Sequence, residues 1–115
     1  MIDRAVPRFE PRNPDYEARM RESFARQGFM ATLGVEMVHI APGEADLVMP
    51  YAPGLTQQHG YFHAGTTTSI ADTAAGYAAL SLFPAGTGVL TSEFKVNLLN
   101  PGEGARLIAE GRVVK

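Results

Sequence analysis

Residues 63–83 read HAGTTTSIADTAAGYAALSLF. The run is rich in alanine, holds no lysine, arginine or glutamate, and carries one charge, at Asp72. Alanine favours a helix, and Pro84 and Gly86 stop one. A surface helix needs a polar face. This one has none, so it is expected to be a central helix, buried nearly all round. Such a helix needs cover on every side, and the flanking sequence has to supply it.

On the N-terminal side, residues 51–62 (YAPGLTQQHGYF) form a loop with a polar centre. From Leu33 to Pro50 the period changes to two. Val35, Met37 and His39 alternate with Glu36 and Val38, Pro42-Gly43 marks a turn, and Ala45, Leu47 and Met49 alternate with Asp46 and Val48. That pattern is a β-hairpin. Residues 1–14 hold Pro7, Pro11 and Pro14 and read as an irregular lead-in. An amphipathic helix is expected over 15–28, capped by Asn13, with Tyr16, Met20 and Phe24 on one face and Gly28 at its end. On the C-terminal side, residues 88–100 (GVLTSEFKVNLLN) read as a strand with Leu90, Phe94, Val96 and Leu98 inward. Asn100-Pro101-Gly102 turns the chain into a last strand over 105–115. The fold class is α+β: an antiparallel sheet curled around one long central helix, with an N-terminal helix, in a single domain of 1–115. Four strands are few for that task. Either a partner supplies the remaining cover, or a further C-terminal hairpin is missing from this sequence.

The 115 residues suffice for one core. A net charge of −2 offers no electrostatic footprint for nucleic acid or an anionic membrane. With no cysteine, thiol nucleophiles, disulfides and thiolate metal sites are excluded. The charged N-terminus has no apolar signal region and no segment reads as membrane-spanning, so a cytoplasmic location is expected.

Two features of the central run carry chemistry. A carboxylate in an apolar helix is costly unless hydrogen-bonded. Gly65, Thr68, Ser69, Gly76 and Ala79 around Asp72 are all small. They leave room for a ligand to approach, although Thr68 or Ser69 could equally satisfy a structural aspartate. The second feature is the helix start at His63-Ala64-Gly65, whose free N–H groups could stabilise an oxyanion, or could be an ordinary tight helix start. Ala64 and Asp72 are eight residues apart, ~12 Å along one helix. One reacting carbonyl cannot touch both. If both act on one substrate, they come from two antiparallel copies of the helix, so the chemistry asks for a dimer. His59 and His63 have metal-like spacing, but Asp72 is too far along the helix to join them. They are read as ordering the loop, and no metal is expected. Gln57 and Gln58 could donate amide hydrogen bonds to a substrate carbonyl.

The stretch QQHGYFHAGTTTSIADTAAGYAAL (57–80) resembles the signature of hotdog-fold thioesterases, in particular the phenylacetate-degradation-type branch. That signature is a polar Asn or Gln, a loop glycine, His-Gly-Gly, and a helix with a Leu-Ala-Asp-Thr-Ala-like run. Here it reads His63-Ala64-Gly65 and Ile70-Ala71-Asp72-Thr73-Ala74, with the acid nine positions after the histidine. The similarity extends through TSEFKVNLLNPGEGARLIAEGRVVK (91–115) and covers about 33–115. It implies a hotdog fold and an acyl-CoA thioesterase acting on an aryl or medium-chain thioester. Coenzyme A enters as part of the substrate, with no separate cofactor. By resemblance Asp72 is general base or nucleophile, the Ala64 N–H binds the thioester oxygen, and Gln57 orients substrate or water. Thr91, or Ser92 in its place, positions the water. His63, Gly65, Gln58, Ser92 and His59 are expected around the substrate. Gln57 and Ala64 would come from one subunit, Asp72 and Thr91 from the other, in a homodimer or homotetramer. Lys95, Arg106 and Arg112 are candidate phosphate partners. Two departures stand out. Ala64 replaces the first glycine, which would strain any positive φ there, and the family's last two strands have no counterpart before residue 115. Other readings are a hotdog module that binds acyl-CoA without turnover, a dehydratase, for which the helix lacks the His–acid pair, and a structural dimer module.

Overall fold

The computed structural model describes residues 8–115; of the lead-in, residues 1–7 lie outside the described residues. The element order is α1 (Tyr16–Ala25), α2 (Gly28–Leu33), β1 (Glu36–Ala41), β2 (Glu44–Pro50), a short 3-10 turn (Pro53–Leu55), α3 (Ala64–Leu80) and β3 (Arg106–Arg112). The three strands form one antiparallel sheet in the order β1-β2-β3, and α3 packs on one face of it. No helix among the described residues is long and apolar enough to cross a membrane.

The hairpin follows its alternation on β2, where Ala45, Leu47 and Met49 are fully buried against α3. On β1 a bulge between Met37 and His39 breaks the period. Val38 is the extra residue, so His39 turns to solvent and reaches Glu44 at 3.0 Å instead of facing inward. Helix α1 starts at Tyr16; Asn13 caps the turn before it, its Oδ1 accepting the Asp15 N–H at 2.9 Å. The expected end at Gly28 is instead the start of α2, whose Met30 and Leu33 enter the core. A six-residue helix with one interior turn leaves too little periodicity to read.

α3 buries one stripe, Ile70, Ala74, Tyr77, Ala78 and Leu80. Its opposite face, with Ala64, Ala71 and Ala75, is exposed. The expected all-round burial is therefore not achieved within one chain, because a three-stranded sheet covers one side of a helix only. Residues 89–99 likewise form no strand pairing among the described residues. Leu90 is 96% exposed, and Phe94, Val96 and Leu98 face solvent rather than the core. β1 and β3 each keep a free edge, and among the described residues no strand pairs with that run.

Two contacts lock the sheet to the helix. Gly111 of β3 crosses α3 so closely that a Cβ there would run into the Ala74 backbone carbonyl. Gly111→Ala is expected to destabilise by ~1–3 kcal/mol, because neither backbone can yield cheaply. Urea unfolding checks this, and a wild-type midpoint would show that the crossing has slack. Ser81, fully buried at the α3 C-terminus, accepts the Gly43 N–H at 2.7 Å and donates to the Ala78 carbonyl at 2.6 Å. It pins the hairpin turn to the helix end. Ser81→Ala strands a buried N–H, so a loss of ~1–3 kcal/mol is expected in the same assay. An unchanged midpoint would mean the turn relaxes outward to water.

Candidate active site

The helix start is built by His63. It is the N-cap of α3 in extended conformation, φ −65° and ψ 139°, anchored by its N–H to the Leu55 carbonyl at 2.9 Å. Its ring Nδ1 accepts the Gly65 N–H at 2.7 Å, and its carbonyl accepts the Thr66 and Thr67 N–H groups at 3.0 and 3.1 Å. Three of the first four helix donors are thus used up by one residue. Among the described residues the Ala64 N–H has no acceptor. The departure from glycine at Ala64 is harmless, since no non-glycine residue described has positive φ. Gly65 serves the cap itself: a Cβ there would press on the His63 ring.

Gln57 stands beside this donor. Its Oε1 accepts the His59 N–H at 2.6 Å and the Tyr61 N–H at 3.3 Å, which closes the loop. With the oxygen committed, the amide NH₂ is what Gln57 can present. Gln57, Ala64 and Thr67 share a cleft of ≈ 760 Å³ with Leu98, Leu99 and Leu107. His59 and Gln58 lie exposed on the loop, and the His59 contribution to loop order comes from its backbone N–H.

Asp72 is in a different place. It is half-buried and lines a cleft of ≈ 710 Å³ between α3, α1 and residues 87–91. Its Oδ1 accepts the Thr91 hydroxyl at 2.7 Å. Neither helix hydroxyl that could have satisfied it does so: Ser69 donates to the Gly65 carbonyl at 2.7 Å, and Thr68 makes no hydrogen bond to Asp72. Asp72 therefore keeps acceptor capacity for a water or a substrate. Ser92, the substitute for Thr91, makes no hydrogen bond among the described residues. Arg112 is committed to the outer face of the sheet, where the hydrogen bond it donates to Asp46 holds its guanidinium charged, pushing its pKa up, with Glu44 and Glu110 nearby. It is not available for a phosphate. Lys95 and Arg106 are exposed and enter neither cleft.

The candidate residues therefore fall into two groups in two clefts. One holds a carboxylate with its hydroxyl, the other a free helix N–H with an amide. Sequence reading missed Ser23 and Gln27 of the Asp72 cleft, because both belong to a segment that reads as ordinary helix.

The sequence pattern described as Thioesterase superfamily matches residues 59–115. The crystal structure of a thioesterase family protein from Silicibacter pomeroyi is 52% identical, with TM-score 0.86 over 87% of this chain and 74% of that one. The Escherichia coli PaaI protein from the phenylacetic acid degradation operon is 23% identical, with TM-score 0.75 over 86% of this chain and 70% of that one, a likeness of fold. Both bear out the α+β hotdog architecture. A protein of Saccharolobus solfataricus named provisionally as an esterase is 32% identical over 83 residues. The chain spans 59% and 61% of the length of the two curated relatives it matches.

Proposed function

The chain belongs to the thioesterase superfamily, and on that premise we propose that it hydrolyses acyl-CoA thioesters of the aryl or medium-chain class, as in the phenylacetate-degradation-type branch. The observation that carries the proposal is the division of its polar groups. Asp72 and Thr91 share one cleft, Gln57 and Ala64 the other. Along α3 the two centres are ~12 Å apart, so one thioester reaches both only where two copies set their α3 helices side by side and antiparallel. The exposed small face of α3, with Ala64, Ala71 and Ala75, allows that approach.

In the resulting site the thioester oxygen lies on the Ala64 N–H of one copy, reinforced by the positive end of the helix. Asp72 of the other copy, steadied by Thr91, takes a proton from water as the water attacks the carbonyl carbon. The oxyanion forms on the helix N–H. The C–S bond then breaks, the carboxylic acid is released, and the thiolate of CoA takes the proton back from Asp72. In the variant pathway Asp72 itself attacks and expels the CoA thiolate, giving a mixed anhydride that water opens to the free acid and Asp72, its released proton going to the thiolate. A thioester is already activated, and no metal is invoked.

The test is thiol release from phenylacetyl-, benzoyl- and medium-chain acyl-CoA, with wild type and Asp72→Asn side by side. Turnover lost in the variant supports hydrolysis. Binding of acyl-CoA without turnover in either protein would make the chain a binding module.

A further inference from the structure

Thr91 reaches Asp72 from a segment that has little to hold it. Among the described residues, no backbone hydrogen bond ties residues 85–101 to another element. Side-chain contacts take the place of strand pairing over the first part of this segment. Val89 packs against the cluster of Met20, Tyr77 and Leu80. The Thr91 hydroxyl donates to Asp72 Oδ1 at 2.7 Å. Upstream of both, Arg19 of α1 donates from Nη1 to the Pro84 carbonyl at 2.8 Å, and the Thr87 hydroxyl donates to the same oxygen at 2.7 Å. Arg19 thus grips the chain just after it leaves α3, and Thr87 folds the loop back onto that point. Arg21 and Arg26 nearby each take a glutamate one helical turn back, at 3.2 and 3.4 Å. Arg19 pairs with no carboxylate among the described residues, and its hydrogen bond goes to the loop alone.

We propose that Arg19 is a positioning residue for hydrolysis: by holding the Pro84 carbonyl it fixes the loop that delivers the Thr91 hydroxyl to Asp72. The proposal rests on the thioesterase reading, in which Asp72 works with that hydroxyl. A hydrogen bond tolerates little displacement of its donor. A misplacement of ~1 Å at a reacting group, caused from a distance, can cost about 10² in rate. Without the anchor the segment keeps its Val89 packing but loses its fixed start. Thr91 then meets Asp72 only part of the time. The substrate itself is bound as before, so the loss falls on kcat and not on KM.

The test is a double-mutant cycle of Arg19→Met and Thr91→Val on the full chain. Methionine keeps an apolar stem and removes the donor, and it is a good helix former at a part-exposed position of α1, so the fold is kept. On the best thioester of the panel, Arg19→Met is expected to lower kcat by about 10–10² with KM within about twofold of wild type. In the Thr91→Val background the same substitution should cost less than about twofold, because the hydroxyl it serves is already gone. An unchanged kcat overturns the proposal. So do equal losses in the two backgrounds. A raised KM with kcat unchanged overturns it as well, since Arg19 lines the Asp72 cleft and would then be holding substrate directly. A second readout needs no turnover. In protein carrying ¹³C-labelled threonine methyls, the Thr91 resonance is expected to move in Arg19→Met, while those of Thr66 and Thr67 at the start of α3 stay in place. A Thr91 resonance that does not move overturns the proposal even where activity falls. Failure of the thioesterase reading looks different: wild type releases no thiol from any thioester, while the Thr91 resonance still reports whether Arg19 sets that hydroxyl.

Discussion

Asp72→Asn is expected to lower kcat for thioester hydrolysis by about 10³, with KM and the fold little changed. Asparagine has the same shape, and its amide oxygen can still accept the Thr91 hydroxyl that Asp72 accepts at 2.7 Å. What disappears is the ability to take a proton or to attack carbon, and either role in the proposed chemistry needs one of these. General acid–base groups contribute roughly 10²–10⁴, and a half-buried carboxylate with one committed oxygen and one open one is placed for the middle of that range. Steady-state thiol release on the best substrate of the panel reads the effect. A fall of less than tenfold would demote Asp72 to a carboxylate that orders Thr91 and residues 87–91. A raised KM with unchanged kcat would place it in ground-state binding instead.

The parts of this site legible in sequence were those that one segment encodes by itself. Eight positions separate Ala64 from Asp72 on one helix, so the distance that the proposed two-copy site has to close follows from helical rise alone. The β2 alternation was equally local. Features made by contacts distant in sequence were not legible. Ser81 acts through Gly43, and Tyr77 through Ser23 and Gln27. In an alanine-rich run neither residue differs from a helix former that happens to be polar. Residues 89–99 failed in the opposite sense. Their alternation is real, but alternation specifies a strand only where another strand lies alongside, and none of the described strands does. His39 went outward because a bulge shifts the register by one residue, which inverts every side chain beyond it.

Ala64→Pro removes one atom group from the site, the backbone N–H, and is expected to lower kcat by about 10²–10³. The substitution is unusually clean here. Ala64 is the first residue of α3, where proline fits and no intrahelical bond is lost. His63 before it already has the extended ψ of 139° that proline requires of its neighbour. The three N–H groups that His63 caps are untouched. The decisive measurement mixes the two defective chains. In a dimer that joins Asp72 of one copy to Ala64 of the other, an Asp72→Asn chain paired with an Ala64→Pro chain has one site with both defects and one with neither. Co-expressed in equal amounts and paired at random, half of the dimers are mixed. The mixture should then recover about one quarter of wild-type activity, although each variant alone is nearly inert. If both groups acted within one chain, no pairing could rebuild a site, and the mixture would stay at the average of its two parents. Recovery depends on which copy supplies which group, so it reports the shared geometry of the site, which loss of activity in either single variant cannot do.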